Sequence, residues 1–227
     1  MDGKEYVYRV ERASSPVPPD AFWDAPAWRA IPALTIALHM GEAPSHRPLA
    51  QAKLQYDQQS VYVVFRVQDR YVRSVVTEYQ GGVCTDSCVE FFFTPGADLA
   101  EGYFNIEVNC GGNLLFTHRM ARDQDVIAVH PADAEALSVA HTLPPRVEPE
   151  IAHPVTWQVA YRVPVAIIAK YAPATPPARG ATWRANFYKC ADLSSHPHWL
   201  TWAPVAWPKP DFHRKEFFGT LEFGGNE

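Results

Sequence analysis

At 227 residues, 47% of them hydrophobic and 13% aromatic, the chain is long enough for a sizeable core and suits one all-β domain over 1–227. Its 20 Lys and Arg against 25 Asp and Glu give a net charge of −5, which excludes the basic footprint of a nucleic-acid binder. No apolar run approaches the roughly 20 residues that a membrane span needs, so neither nucleic acid nor membrane is an expected partner.

The start, MDGKEYVYRV, lacks the apolar centre of a secretory signal. The chain is then either cytoplasmic or a secreted or periplasmic protein whose signal has been removed. Residues 1–20 read as an extended lead-in: a strand-like YVYRV, then SSPVPPD, where Pro16, Pro18 and Pro19 exclude a helix. In FWDAPAW, Trp28 reads as a core residue. A strand over 33–38 ends in the loop GEAPSHRP. Strands over 49–56 and 61–67 flank the turn DQQS, with Val61, Val63, Phe65 and Val67 on one apolar face.

Residues 83–116 carry the densest information. Two β-rich runs flank a polar loop holding Pro95, Gly96 and Gly102, the pattern of a hairpin with a long connection. Val89, Phe91 and Phe93 alternate with Cys88, Glu90 and Phe92, and Phe104, Ile106 and Val108 alternate with Tyr103, Asn105, Glu107 and Asn109. A symmetric connection sets Glu90 across from Glu107, Phe92 across from Asn105 and Cys88 across from Asn109. Like charges directly opposite destabilise a sheet, so this polar face suggests a ligand, a cation or a neighbouring Arg, against the plainer reading of a solvated outer face.

A strand over 114–117 continues the meander. Residues 119–150 form a polar, Pro-rich excursion with one short strand over 137–141, expected to cover a sheet edge or the ligand face. Trp157, Val159, Tyr161 and Val163 mark a half-buried strand, and Pro164 opens a two-turn helix in VAIIAKY. The strand over 183–190 turns Trp183, Ala185 and Phe187 inward and Arg184, Asn186 and Tyr188 outward. Arg184 is expected over the face of Glu90 and Glu107, lowering their pKa values and favouring hydrogen bonds to hydroxyls over general-acid chemistry.

The loop SSHPHWLTWAPVAWPKPDFH gathers Trp199, Trp202 and Trp207. Indole N–H groups need partners, so three Trp on one Pro-broken loop suggest platforms for the C–H faces of sugar rings, although some fasten the loop itself. A last strand over 216–223 closes the sheet. Cys84, Cys88, Cys110 and Cys190 show no paired metal spacing and read as buried free thiols, with a disulfide left open. Asp57, Asp69 and Asp86 are candidate oxygen donors to calcium, without the ordered spacing of an EF-hand.

The motifs DSCVEFFFTPG, YFNIEVN, WRANFYKC, PHWLTWAP and DFHRKEFFGTLEF, in that order, resemble the family 9 carbohydrate-binding modules and the family 9-like proteins related to DOMON domains. The resemblance runs from about Asp24 to Phe223. It implies an antiparallel two-sheet β-sandwich, immunoglobulin-like or jelly-roll-like, with one short helix and a long Trp-rich loop. It also implies non-catalytic binding of glycan ends or short oligosaccharides in polysaccharide degradation, with calcium as a structural option and no required cofactor. The ligand residues it implies are Glu90, Glu107, Asn109 and the later tryptophan, Trp202 or Trp207, to which the outward face of the 183–190 strand adds Arg184, Asn186 and Tyr188 as candidates. The earlier tryptophan of the family's clamp would stand a few residues before Glu90, where this chain has Cys84. Two alternatives stay open: a glycoside hydrolase using Glu90 and Glu107 as its carboxylate pair, and a haem-binding DOMON domain with ligands among Met40, Met120 and His118.

Overall fold

The computed structural model describes residues 5–20 and 22–225; the first four residues of the lead-in, and the signal reading made on them, lie outside the described residues. Sixteen strands follow in chain order: β1 (Val7–Arg12), β2 (Leu34–Ile36), β3 (Leu38–His39), β4 (Leu49–Tyr56), β5 (Ser60–Asp69), β6 (Val72–Ser74), β7 (Cys88–Thr94), β8 (Tyr103–Asn109), β9 (Leu114–Arg119), β10 (Ile127–Ala128), β11 (Ala140–His141), β12 (Val147–Ile151), β13 (Val155–Pro164), β14 (Thr182–Cys190), β15 (Trp199–Thr201) and β16 (Gly219–Phe223). Among the described residues two one-turn α-helices interrupt them, α1 (Pro131–Ala134) and α2 (Val165–Ile168), with five 3-10 turns besides.

The strands form a curled sandwich. One side runs β10-β9-β8-β7-β14-β16-β1 and the other β1-β4-β5-β13-β11. Strand β1 serves both: Val7–Val10 pair with β16, and Glu11 and Arg12 pair with β4. Both pairings are parallel, a departure from the all-antiparallel expectation. The physical reason is that neither neighbour is joined to β1 by a hairpin, so nothing forces the chain to reverse between them.

The inner faces supply the main core, including Phe65, Phe91, Phe93, Phe187, Trp157 and Trp183, all fully buried. Phe91 stacks on Phe187 at 4.8 Å between centroids and Phe93 on Trp183 at 5.3 Å. Trp28 is 1% exposed and packs with Trp23, Tyr62 and Val64 in a smaller cluster outside the second sheet, a core residue as its sequence context suggests. The excursion after β9 adds β10 beside β9 and β11 beside β13, so it covers two edges. Helix α1 lies within it, too short to show a 3.6-residue period, and α2 spans one turn rather than two, with Pro164 as its N-cap.

What positions the site is a second layer over the outer face of the first sheet. There Met40, Val83, Phe92, Tyr103, Tyr188, Phe212 and Phe218 form their own cluster beneath the segments that precede β7 and follow β15. The face that alternation marked as polar is therefore roofed, not open to solvent.

Candidate functional site

The hairpin register is the expected one. Glu90 pairs with Glu107, Phe92 with Asn105 and Cys88 with Asn109. On the other side of β7, Tyr188 of β14 pairs with Glu90 and Cys190 with Cys88. Period-two alternation across three adjacent strands thus brings Glu90, Glu107, Cys88 and Cys190 to one face. The roof leaves a cavity of about 120 Å³ above them, walled by Cys84, Trp199, Asp192, Phe212 and His213, with Arg122, Pro210 and Asp211 around it.

Each wall is fixed by identifiable bonds. Trp199 donates its indole N–H to Asp192 at 2.8 Å, which turns the ring beside the carboxylates. Asp211 accepts from Arg122 at 2.7 Å and from Arg214 at 2.6 Å. His213 meets the Tyr103 hydroxyl at 2.9 Å, and burial pushes its imidazole down to about 3, so it is neutral. Asn105 donates to Glu107 Oε1 at 2.8 Å and is itself held by Thr117 and Arg119.

Glu90 and Glu107 are 1% and 5% exposed. Burial raises both carboxyls. The opposing Glu107 raises Glu90 further, to well above the usual range, while the Asn105 hydrogen bond opposes the rise of Glu107, which reaches about 7. This corrects the expectation that Arg184 would lower them. Arg184 pairs with Thr94, six residues along β14 from Cys190, and gives its guanidinium to the carbonyls of Gly219 and Phe218. The two carboxylates have no compensating guanidinium from that strand.

The other expected ligand residues lie elsewhere. Asn109 is buried and donates to Asp86 and the Val76 carbonyl. Asn186 bonds the Ala203 backbone in both directions. Tyr188 is fully buried, stacked on Phe212 at 4.1 Å, with its hydroxyl on the Phe212 carbonyl. Trp202 is 8% exposed and points into the main core, edge-on to Phe187 at 5.7 Å and to Tyr6 at 6.0 Å. Trp207 is 43% exposed, outside the cavity, with the Arg214 guanidinium 3.4 Å above its ring. The tryptophan that walls the cavity is Trp199, which the sequence placed in the loop without distinguishing it from its neighbours. Its position as the first residue of β15, adjacent to Cys190, was the missing signal.

The remaining candidates also resolve. All four cysteines are free thiols, and Cys190, 100 residues from Glu90, donates its thiol to that carboxylate at 3.1 Å. The absence of paired spacing in the sequence had hidden this grouping. Asp57 caps the β4–β5 turn and accepts from Tyr62, and Asp86 accepts from Arg73 and the Val75 and Val76 amides. Asp69 holds Lys189 at 3.4 Å and His46 at 2.7 Å; burial alone would raise it, yet these partners keep it well below the usual range. The three aspartates are thus occupied by protein donors at separate places and do not form a calcium cage. His118 gives Nε2 to the Glu101 carbonyl and packs on Phe104, and Met40 is buried under the roof, so neither is presented to a haem iron.

The family model for carbohydrate-binding family 9 matches residues 29–223. Three solved structures share the fold. A candidate carbohydrate-binding protein of Bacteroides uniformis superposes with a TM-score of 0.85 at 24% identity, over 97% of this chain and 100% of its own. A family 9 module of Caldicellulosiruptor kristjanssonii in complex with glucose gives 0.65 at 14% identity, over 97% of each chain. The same organism's module in complex with cellotriose gives 0.66 at 16%, over 97% of this chain and 95% of the other. No curated protein matches the chain. With the family model spanning nearly all of the sandwich and the fold shared from end to end, the chain belongs to carbohydrate-binding family 9.

Proposed function

We propose that this chain, acting as one domain, binds the end of a glycan in the cavity above Glu90 and Glu107 without transforming it. The observation that carries the reading is the cavity itself: a tryptophan ring, two buried carboxyls and an arginine converge in a space that takes the edge of one sugar ring rather than a long chain. Trp199 offers the apolar face for ring C–H groups. Glu90, Glu107 and Asp192 meet hydroxyl groups, and Arg122 donates from the rim. Binding of this kind needs no cofactor. The glucose and cellotriose complexes of modules with the same fold make β-glucans the first ligands to try.

The test is calorimetric titration with glucose, cellotriose and a wider panel of reducing and non-reducing glycan ends. Trp199→Ala is expected to weaken binding at least tenfold, in line with the loss of about 1.4 kcal/mol or more of stacking. Its circular dichroism is expected to match wild type, since Trp199 is only half-buried. A panel without heat, or a Trp199→Ala protein that binds as well as wild type, refutes the reading. A raised carboxyl pKa is also what a glycosidase acid needs, so product release is followed in the same samples. Reducing sugar that appears with wild type and disappears with Glu90→Gln would replace this reading by a hydrolase.

A further inference from the structure

The floor of the cavity sets two thiols beside Glu90, and sugar recognition does not use these sulfurs. Cys88, Glu90 and Cys190 each place a ligand atom within 4.8 Å of the other two, and all three side chains are buried. Two strands make this grouping rigid: Cys88 and Cys190 are directly paired across β7 and β14, and Glu90 lies two residues along β7 on the same face. Two sulfurs bound 2.3 Å from a tetrahedral zinc stand about 3.8 Å apart, within reach of this spacing without strand movement. The carboxylate of Glu90 already lies 3.1 Å from the Cys190 sulfur.

We propose that Cys88, Cys190 and Glu90 form a binding site for a thiophilic divalent cation of the zinc class, with its fourth position opening into the cavity beside Cys84. The donor set selects the metal. Two thiols with one carboxylate suit zinc and exclude calcium and magnesium, which require oxygen ligands. Charge points the same way. Three acidic groups share one desolvated spot, and the ammonium of Lys189 on the intervening position of β14 faces the opposite side, bound to Asp69. A divalent ion binds by displacing the thiol protons and then offsets the charge of the thiolates and carboxylate it gathers. Cys84 lines the same cavity as Glu90 and Cys190 and completes the tetrahedron, or a water does. The site shares Glu90 with the glycan reading but does not rest on it, since a metal titration without sugar tests it separately.

The experiment uses the full chain, reduced and stripped with chelator, titrated anaerobically with cobalt(II) alone and then with zinc. One equivalent of cobalt is expected to produce the sulfur-to-cobalt charge-transfer band and the intense visible bands of a tetrahedral site, both erased by zinc. Glu90→Gln is expected to weaken cobalt at least tenfold, the double variant Cys88→Ser/Cys190→Ser to remove the charge-transfer band, and Cys110→Ser, whose thiol lies on the Arg73 carbonyl, to leave it intact. Zinc-edge X-ray absorption of the wild type gives a measure that needs no variant, with at least two sulfur neighbours expected. A wild-type protein without the charge-transfer band, a band that survives Cys88→Ser/Cys190→Ser, or a zinc shell of nitrogen and oxygen alone overturns the proposal.

Discussion

Replacing Glu107 by Gln should make the protein more stable and a poorer glycan binder at once. Glu107 is 5% exposed, opposite Glu90, and accepts one hydrogen bond from Asn105. Gln keeps the shape and the acceptor oxygen while removing a charge that burial disfavours. The folded carboxyl titrates at about 7, against 4.5 for the ordinary group. Between these values the folded chain holds a proton that the unfolded chain has released, so stability is full below 4.5 and falls as pH rises through 7. At 1.36 kcal/mol per pH unit the loss is about 1 kcal/mol at pH 5 and about 3 kcal/mol at pH 8. Because Glu90 and Glu107 titrate as a pair, the variant also relieves Glu90. Urea denaturation in the presence of chelator, at pH 5 and pH 8, should therefore show Glu107→Gln gaining about 3 kcal/mol over wild type at the higher pH and about a third of that at the lower. Calorimetry on the same protein should show weaker glycan binding. A variant no more stable than wild type at pH 8, or one with an unchanged difference between the two pH values, would refute the argument that this carboxylate is retained against the stability of the fold.

Two further substitutions separate packing from recognition. Trp202→Ala removes an indole packed on Phe187 and Tyr6 and should cost about 3–5 kcal/mol in urea denaturation, with the glycan dissociation constant of the folded fraction changed less than twofold. Lys189→Met strips the buried Asp69 carboxylate of the ammonium that joins the two sheets, an expected loss of about 3–5 kcal/mol. Pairing it with Asp69→Leu should recover part of that loss, and a double-mutant cycle with additive costs would argue against the coupling.

The loss expected for Trp202 shows why the aromatic loop was harder to read than the hairpin. In β7 and β8 each side chain's direction follows from a period of two, and the long connection between them is symmetric about the pair. Glu90 opposite Glu107 was therefore legible from residue order alone. The loop after β14 has no period. Its three tryptophans are equivalent as letters, and only their final neighbours separate Trp199 on the cavity wall from Trp202 in the core and Trp207 beneath Arg214. Arg184 failed for a related reason: its face was read correctly, but its height along the face depends on how β14 registers with β7, strands separated by 87 residues between Thr94 and Thr182.

By itself the sequence determined the all-β class, most strands, the inward and outward faces of the strands around Phe65, Glu90, Glu107, Trp157 and Trp183, and the pairing of the two glutamates. These follow from alternation and turn chemistry, which act over a few residues. Only the tertiary structure decided that the polar face is roofed, that Cys190 stands against Cys88 and Glu90, and that the two carboxyls are raised rather than lowered. Burial under the roof and the approach of β14 set those properties, and β14 brings Cys190 to Glu90 across 100 residues of chain, a meeting that no local pattern encodes.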